Sequence, residues 1–456
     1  MIRSISWLLC SSILLSSAAF AQDATLLAQA NVDAPPAPVA LTPADTAPVA
    51  PLAPAPSGVL TLDAAIERAL AESPRLKSFG FARMASKGAR GQAGALPNPE
   101  IGVEAENFSG KGPYKGFDSA EVTYGVSQLV EIGGKRSARQ DAANQGYQIA
   151  SFEYQAARLD VIRDVKIAYA EAVAAKEAVA LAEKQKSLAS EVLENVIQRV
   201  NAAAEPLFQR SKSEVALATS EMALDKAQRD YTIARKQLAA LWGADAPGTE
   251  LDSTYFFEIT APEPMTDAET LKRNPDFVRW DAELARSRAN LDLERANAIP
   301  DPSLSVGVRD FRDSGDRAFV AGVSIPIPVF NMNRGNIERA RNEVSKTESD
   351  KRSAEIGLST ELTRSQQELE NAYRQAQSLK NTILPAAEKS YSLSRQGYRA
   401  GKFPYLEVLD AQRTLVEARA QYNDTLKEYH SKRAEVERLT AKNLPATNQK
   451  EEADAE

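Results

Sequence analysis

The residues best able to do chemistry lie in GYRAGKFPYLEVLDAQ, Gly397 to Gln412. Gly401 and Pro404 read as a turn. Glu407 and Asp410 follow it three residues apart, which puts both carboxylates on one face of a starting helix. Two readings fit. Carboxylates in a first turn complement the helix macrodipole. Gathered around a symmetry axis, the same pair becomes an acidic ring that favours cations in a pore. Glu104, Glu106 and Glu121 form a second acidic group at alternate positions of two strand-like segments. They line a lumen if those strands form a barrel wall, and solvate an exposed sheet face if they do not.

Other chemistry is scarce. His430, beside Tyr422 and Tyr429, is the single histidine and reads as an ordinary surface or seam residue of a helix. Cys10 is the single cysteine and lies inside an apparent leader. One histidine and no mature thiol cannot assemble the donor set that grips a transition metal, so neither metal nor cofactor is expected. Gly133-Gly134-Lys135-Arg136 lacks the GxxxxGK[ST] spacing of a phosphate loop and reads as a bend between strand and helix. No catalytic constellation is found, so the chain is not expected to be an enzyme.

The elements that must position these residues are mostly long helices. The chain has 456 residues and a net charge of −7, which leaves no basic footprint for nucleic acid. Residues 1–21 read as a secretory signal: Arg3, an apolar run within Ser6 to Leu15, and Ala19-Phe20-Ala21 as cleavage site. Residues 22–57 are an Ala/Pro-rich disordered linker and 443–456 a disordered acidic tail.

Between them the sequence repeats. AGALPNPEIGVE at 93–104 resembles NAIPDPSLSVGV at 297–308, and RVNAAAEPLFQRSKSEV at 199–215 resembles the last turn, with Pro206 matching Pro404. Two copies follow, 58–258 and 259–442, each running helix, two strands, long helix, turn, helix. Tyr147, Tyr154, Val161, Ala168, Ala175, Ala182, Ala189 and Val196 recur every seventh residue, as do Val408, Leu415, Tyr422, Tyr429 and Val436. Sustained heptads mean coiled-coil packing. Arg136 to Val200 contains no proline, so that helix would span ~98 Å. Pro385 predicts a kink or break in the matching helix of the second copy.

The strand candidates alternate apolar and polar residues over ~9–10 positions, the length of a tilted membrane strand. Ile101, Val103 and Ala105 oppose Gly102, Glu104 and Glu106. Ala120, Val122, Tyr124 and Val126 oppose Glu121, Thr123, Gly125 and Ser127. Leu304, Val306 and Val308 oppose Ser303, Ser305 and Gly307, while Phe319, Ala321, Val323 and Ile325 share a face. Four strands cannot close a barrel, so membrane strands would require several chains. A soluble four-stranded sheet capping a coiled coil is the other reading.

LPNPEIGVEAEN, SQLVEIGGKRSAR, SIPIPVFNMNRG and GYRAGKFPYLEVLDAQ together resemble the TolC-type outer-membrane efflux proteins over about residues 58–442, most closely their CzcC-like heavy-metal branch. The resemblance implies a mainly α fold with membrane β: a homotrimer whose strands close a 12-stranded barrel in outer-membrane lipid, above a coiled-coil helical tunnel through the periplasm. It implies a periplasmic adaptor and an inner-membrane resistance-nodulation-division pump as partners. The chain would be a passive duct for divalent heavy-metal cations, or for drugs or solvents. A periplasmic coiled-coil adaptor is the alternative, disfavoured by the duplication and the two strand pairs. The resemblance also implies a gate at the helix turns, with Tyr398, Phe403, Glu407 and Asp410 at the pore. Glu104, Glu106 and Glu121 would line the lumen. The adaptor would dock on a tip of Ala203, Pro206, Leu207, Gly401, Pro404, Tyr405 and Leu406. Phe403 stands where better-known members carry an arginine, so a latch on that arginine is absent. Gln209 stands where an acid can occur in the first copy.

Overall fold

A computed structural model describes residues 58–263, 271–400 and 402–442. The expected signal, linker and tail, and Gly401, lie outside the described residues.

Helix α1 (Leu62–Glu72) starts where the Thr61 hydroxyl accepts the Ala64 N–H, and α2 (Pro74–Ala93) follows with proline at its first position. Then come β1 (Glu100–Glu106) and β2 (Glu121–Leu129). Helix α3 (Lys135–Asn201) has 67 residues, ~100 Å of unbroken helix. Helix α4 (Leu207–Ala240) returns along it, and a short α5 (Thr254–Phe257) lies in the segment that follows. The order then recurs: α6 (Pro275–Asn297), β3 (Ser303–Phe311), β4 (Arg317–Ser324), α7 (Arg334–Ser378), α8 (Leu384–Arg399) and α9 (Tyr405–Leu439).

No residue of the predicted α3 stripe is exposed, and Val161, Ala182 and Val196 are buried. Small seam residues let the helix axes approach closely, which is how α3 packs against α2, α4, α6 and α9 at once. The main core lies midway along α3. There Val165, Tyr169 and Val173 meet Leu238 from α4, Trp242 just past its end, Leu251 and Phe256 from the α5 segment, and Leu426 from α9. Beside it, charges stitch α2, α3, α6 and α9 together. Arg438 reaches Asp160 at 2.8 Å and also pairs with Asp276, and Asp160 also receives Arg75 at 3.1 Å.

Pro385 neither breaks α7 from α8 nor leaves the ladder regular. A π turn, Leu379–Ile383, joins the two helices immediately before it. Proline lacks an N–H and crowds the carbonyl four residues back, and widening one turn accommodates both defects. Gly133 and Gly134 are left-handed, at φ 71° and 77°, where the chain passes from β2 into α3. A Cβ on Gly133 would sit 2.7 Å from Ile299 Cδ1, so this bend requires glycine. Asn333, at φ 57°, plays the same part before α7.

Of the two places expected for His430, surface or seam, the structure gives the buried one. Its imidazole is 1% exposed, packed on Tyr255, Phe256 and Tyr429. Nε2 donates to the Phe256 carbonyl at 2.9 Å, which leaves Nδ1 bare and without a partner. Beside it the Tyr429 hydroxyl donates to the Thr260 carbonyl and accepts the Thr260 N–H, so α9 clamps the α5 segment with two side chains. Burial pushes the imidazole down to about 4 from an ordinary 6.5; the Phe256 hydrogen bond opposes this and Arg433 adds to it. A base with a depressed folded pKa stabilises fully above its unfolded value and loses that contribution as pH falls. We expect melting of the protein to lose ~3 kcal/mol of stability between about pH 6.5 and 4, and His430→Gln to flatten that part of the profile. Parallel acid limbs in the two proteins would refute this role.

Candidate functional site

The four strands form one antiparallel sheet in the order β1-β2-β3-β4. Its register places Val103 opposite Tyr124, Tyr124 opposite Val308, and Val308 opposite Phe319. These apolar residues therefore share one face, as the alternation predicts. That face is uncovered: Ile101 is 86% exposed, Val306 64% and Phe319 93%. Strands β1 and β4 are edges and leave a row of backbone groups unpaired on their outer sides. A sheet of this kind in water would be an aggregation template. Among the described residues, no helix is long and apolar enough to cross a membrane.

Strand lengths are shorter than expected at the edges, seven residues in β1 and eight in β4. β1 stops because Asn107 turns left-handed at φ 59°. β4 stops at Ser324, and Pro326 and Pro328 follow without N–H donors. Ala120 is buried just before β2, and Ile325 lies just past β4.

The opposite face is polar. Glu106 pairs with Glu121 in register and Thr123 with Arg309. Arg309 adds a cation to this face. Its guanidinium reaches Glu106 and Glu121, each at 3.0 Å, and donates to the Thr123 hydroxyl at 2.9 Å. Two of the three carboxylates therefore share one cation, and Glu104 stands opposite Thr123. Gly102, Gly125 and Gly307 lie in line across three strands of this face. A Cβ on Gly307 would meet the Tyr124 carbonyl at 2.7 Å, so the strands approach there as only glycine permits.

The helix turns lie at the far ends of α3 and α8. Both close alike. The Ala204 N–H donates to the Arg199 carbonyl and the Lys402 N–H to the Gly397 carbonyl, each at 2.8 Å, and a proline in extended conformation starts the next helix. Ala203, at φ 55°, supplies the left-handed residue of the first turn. Leu207, Phe208, Phe403 and Leu406 are exposed around the two turns, with Ala203, Pro206 and Pro404 also at the surface. Glu407 and Asp410 are both exposed in the first turns of α9. Arg413 pairs with Asp410 at 2.9 Å, which moderates one of the two acids.

Behind the turns, Tyr398 of α8 meets residues from the end of α3 and the first turn. Its ring stacks at a tilt on Tyr405 at 5.4 Å, its hydroxyl points at Glu205 Oε1 at 3.5 Å, and the Arg199 guanidinium lies 5.2 Å over its face. Arg199 also pairs with Glu205 at 3.0 Å. Burial raises the hydroxyl pKa of Tyr398, and more strongly that of Tyr405. Phe403 packs into the notch of buried Gly397, where an added Cβ would stand 2.1 Å from its ring. Arg199, Glu205, Arg309 and Arg413 were not singled out from sequence. For Glu205 and Arg309 the partners lie on other elements; Arg413 followed the i, i+3 spacing that could have flagged it. Among the described residues no cluster of His, Cys, Asp and Glu could hold a metal.

The sequence profile of a family described as "Outer membrane efflux protein" matches residues 65–244 and 268–442. The cobalt-zinc-cadmium resistance protein CzcC of Cupriavidus metallidurans is 30% identical over 384 residues, 84% of this chain and 90% of that protein. The nickel-cobalt-cadmium resistance protein NccC of Alcaligenes xylosoxydans xylosoxydans is 28% identical over 281 residues, 61% of this chain and 63% of that one. The pyoverdine export outer membrane protein OpmQ of Pseudomonas aeruginosa is 24% identical over 383 residues, 79% of this chain and 81% of that one. In fold, the chain is similar to the Campylobacter jejuni CmeC outer membrane channel, with TM-score 0.74, 14% identity and coverage of 86% of this chain and 88% of that one. It is also similar to CusC, with TM-score 0.68, 18% identity and coverage of 83% and 91%.

The Gly397–Phe403 contact gives a direct test. Gly397→Ala should drive the Phe403 ring into solvent and raise hydrogen exchange across 395–406 several-fold, while global melting stays within about 1 kcal/mol. Adding Phe403→Ala should make the alanine at 397 harmless. Exchange unchanged by Gly397→Ala would refute the packing.

Proposed function

Because the chain belongs to the outer membrane efflux protein family, we propose that it is the outer-membrane exit duct of a tripartite efflux system, assembled as a homotrimer and passing divalent heavy-metal cations. The observation that carries this reading is the sheet: four strands, one uncovered apolar face and two unpaired edges. In lipid an unpaired backbone group costs several kcal/mol, so the edges must find strands on other copies. Three copies close a 12-stranded barrel with the apolar face to lipid and the Arg309 face to the lumen.

Below the barrel the paired helices of three copies form the periplasmic tunnel. The matching hydrogen bonds of the two turns, Ala204 N–H to the Arg199 carbonyl and Lys402 N–H to the Gly397 carbonyl, support two repeats, 58–258 and 259–442, each giving two strands and a helical pair. The exposed apolar tip of Leu207, Phe208, Phe403 and Leu406 is the docking surface for a periplasmic adaptor, which joins the duct to an inner-membrane resistance-nodulation-division pump. That pump supplies the energy. Tyr398 and Phe403 belong to the gate, and Glu407 with Asp410 rings the pore. Metal cargo rests on the relatives that confer metal resistance; the pyoverdine exporter among them keeps an organic cargo as the second reading.

Outer-membrane fractionation should recover the protein as a heat-modifiable trimer, and a soluble periplasmic monomer would end the duct reading. A deletion strain should lose tolerance to one or more of zinc, cobalt, cadmium and nickel; unaltered tolerance to all four would end the metal assignment. In bilayer recordings, Glu407→Gln with Asp410→Asn should reduce cation preference, and Arg309→Gln should increase it. Equal reversal potentials in all three proteins would remove the lumenal-charge argument.

A further inference from the structure

The chain crosses from strand to helix twice, and the two crossings are built alike. Gly134 stands left-handed as the N-cap of α3, and Asn333 left-handed as the N-cap of α7. The chain also enters a strand through Pro-x-Pro twice, Pro97-Asn98-Pro99 before β1 and Pro300-Asp301-Pro302 before β3. One crossing and one entry meet within the chain. The Val130 N–H donates to the Pro302 carbonyl and the Ile132 N–H to Asp301 Oδ1, each at 2.9 Å, and Lys135 pairs with Asp301 at 2.6 Å. The other crossing and the other entry lie at opposite edges of the sheet, after β4 and before β1. There Asn98 and Arg334 are exposed, Ile327 is 82% exposed and Phe330 fully so.

Hydrogen-bond direction restricts how those edges can join. In an antiparallel sheet, successive residues turn their backbone groups alternately toward one neighbour and the other. The bonds from Val130 to Pro302 and from Arg312 to Ala120 show that even-numbered residues of β2 and β3 face each other. The registers then turn Glu100, Gly102 and Glu104 of β1 inward to β2, and Gly322 and Ser324 of β4 inward to β3. The outward donors and acceptors belong to Ile101, Val103 and Ala105 on one edge. On the other they belong to Val323 and, where the chain continues, to Ile325 and Ile327. Pro326 and Pro328 fall at inward positions past the end of the ladder with β3, where a missing N–H costs the outer edge nothing.

We infer that the edges of two copies join in one register: Val323 opposite the partner's Ala105, Ile325 opposite the partner's Val103, and Ile327 opposite the partner's Ile101. The inference rests on the trimeric duct reading above and fixes how its sheet closes. It carries the internal junction across the edge, with Asn333 in place of Gly134 and the partner's Pro99 in place of Pro302. Each resulting pair is apolar and turns outward on both sides, a condition the internal junction did not impose. Arg334 takes the place of Lys135 and meets the partner's Asn98 where the internal junction has Asp301. On the polar face, Ser324 stands opposite the partner's Glu104. The partner's Glu104 is then flanked by two hydroxyls, Ser324 and the partner's Thr123, so the seam brings it no cation.

The test is disulfide cross-linking of the full-length protein in outer membranes, with Cys10→Ala so that only introduced thiols are present. Within one chain β1 and β4 are opposite edges, so a bond between them joins two chains. Opposite residues of a non-hydrogen-bonded pair stand ~4.5 Å apart at Cα and diagonal ones ~7–8 Å, beyond disulfide reach. Ser324→Cys with Glu104→Cys should therefore link chains under mild oxidant about tenfold faster than Ser324→Cys with Gly102→Cys or with Glu106→Cys. Should Glu104→Cys fail to assemble, Gly322→Cys with Glu106→Cys carries the same expectation. Asn98→Asp should raise the temperature at which the trimer dissociates in detergent, and Arg334→Ala should cancel that gain. Faster linkage of Ser324→Cys through Gly102→Cys or Glu106→Cys, or trimers that no pair links, would overturn the proposal. So would Asn98→Asp without effect, or a gain that survives Arg334→Ala. Absence of trimers from every protein, wild type included, would overturn the duct reading and this inference with it.

Discussion

The constraint on which the rest depends is the pair of unpaired sheet edges. Strands β1 and β4 each leave backbone donors and acceptors along one side, and the face between them is apolar and uncovered. Water would tolerate the edges but not the face. Lipid would tolerate the face but not the edges. Only copies of the same sheet joined edge to edge meet both demands. In the assembly proposed above, that closure would set an axis and turn the Arg309 face inward. Gly102, Gly125 and Gly307 fit this geometry, because a row without side chains lets neighbouring strands coil tightly.

The helices meet a different demand: great length with little core. One helix of 67 residues cannot fold back on itself, so its stability comes from neighbours on several sides. Small seam residues keep those neighbours close, and the large buried side chains concentrate midway, where Tyr169 and Trp242 meet. Tyr429 and His430 then fasten the α5 segment over the join. α7, a π turn and α8 together reach a similar length, with one widened turn in the ladder.

What was legible in the sequence was periodic. Alternation placed Ile101, Val103, Tyr124 and Val306 on one face, and heptads placed Val161, Ala182 and Val196 in a seam. What was not legible depends on tertiary partners. Nothing near Glu106 or Glu121 in sequence signals that Arg309 lies between them. Whether His430 belongs to the surface or to a seam is decided by the α5 segment that covers it. Pro385 correctly flagged a defect, but whether a helix breaks or widens a turn is decided by what packs around it, here including buried Leu379. Nothing near Tyr398 in sequence signals that Arg199 of α3 lies over its ring.

These pairings also bear on what a lumen built from this chain can select. Arg309 offsets much of the charge of Glu106 and Glu121, and Arg413 that of Asp410. Glu104 and Glu407 are then the less compensated of the acids first singled out, at opposite ends of the path. Exposed charges this far apart are screened from one another by salt beyond about 10 Å, so in the proposed assembly they would attract a cation without retaining it. No cluster among the described residues could hold a metal in between. In the duct proposed above, such an arrangement would discriminate weakly and release readily.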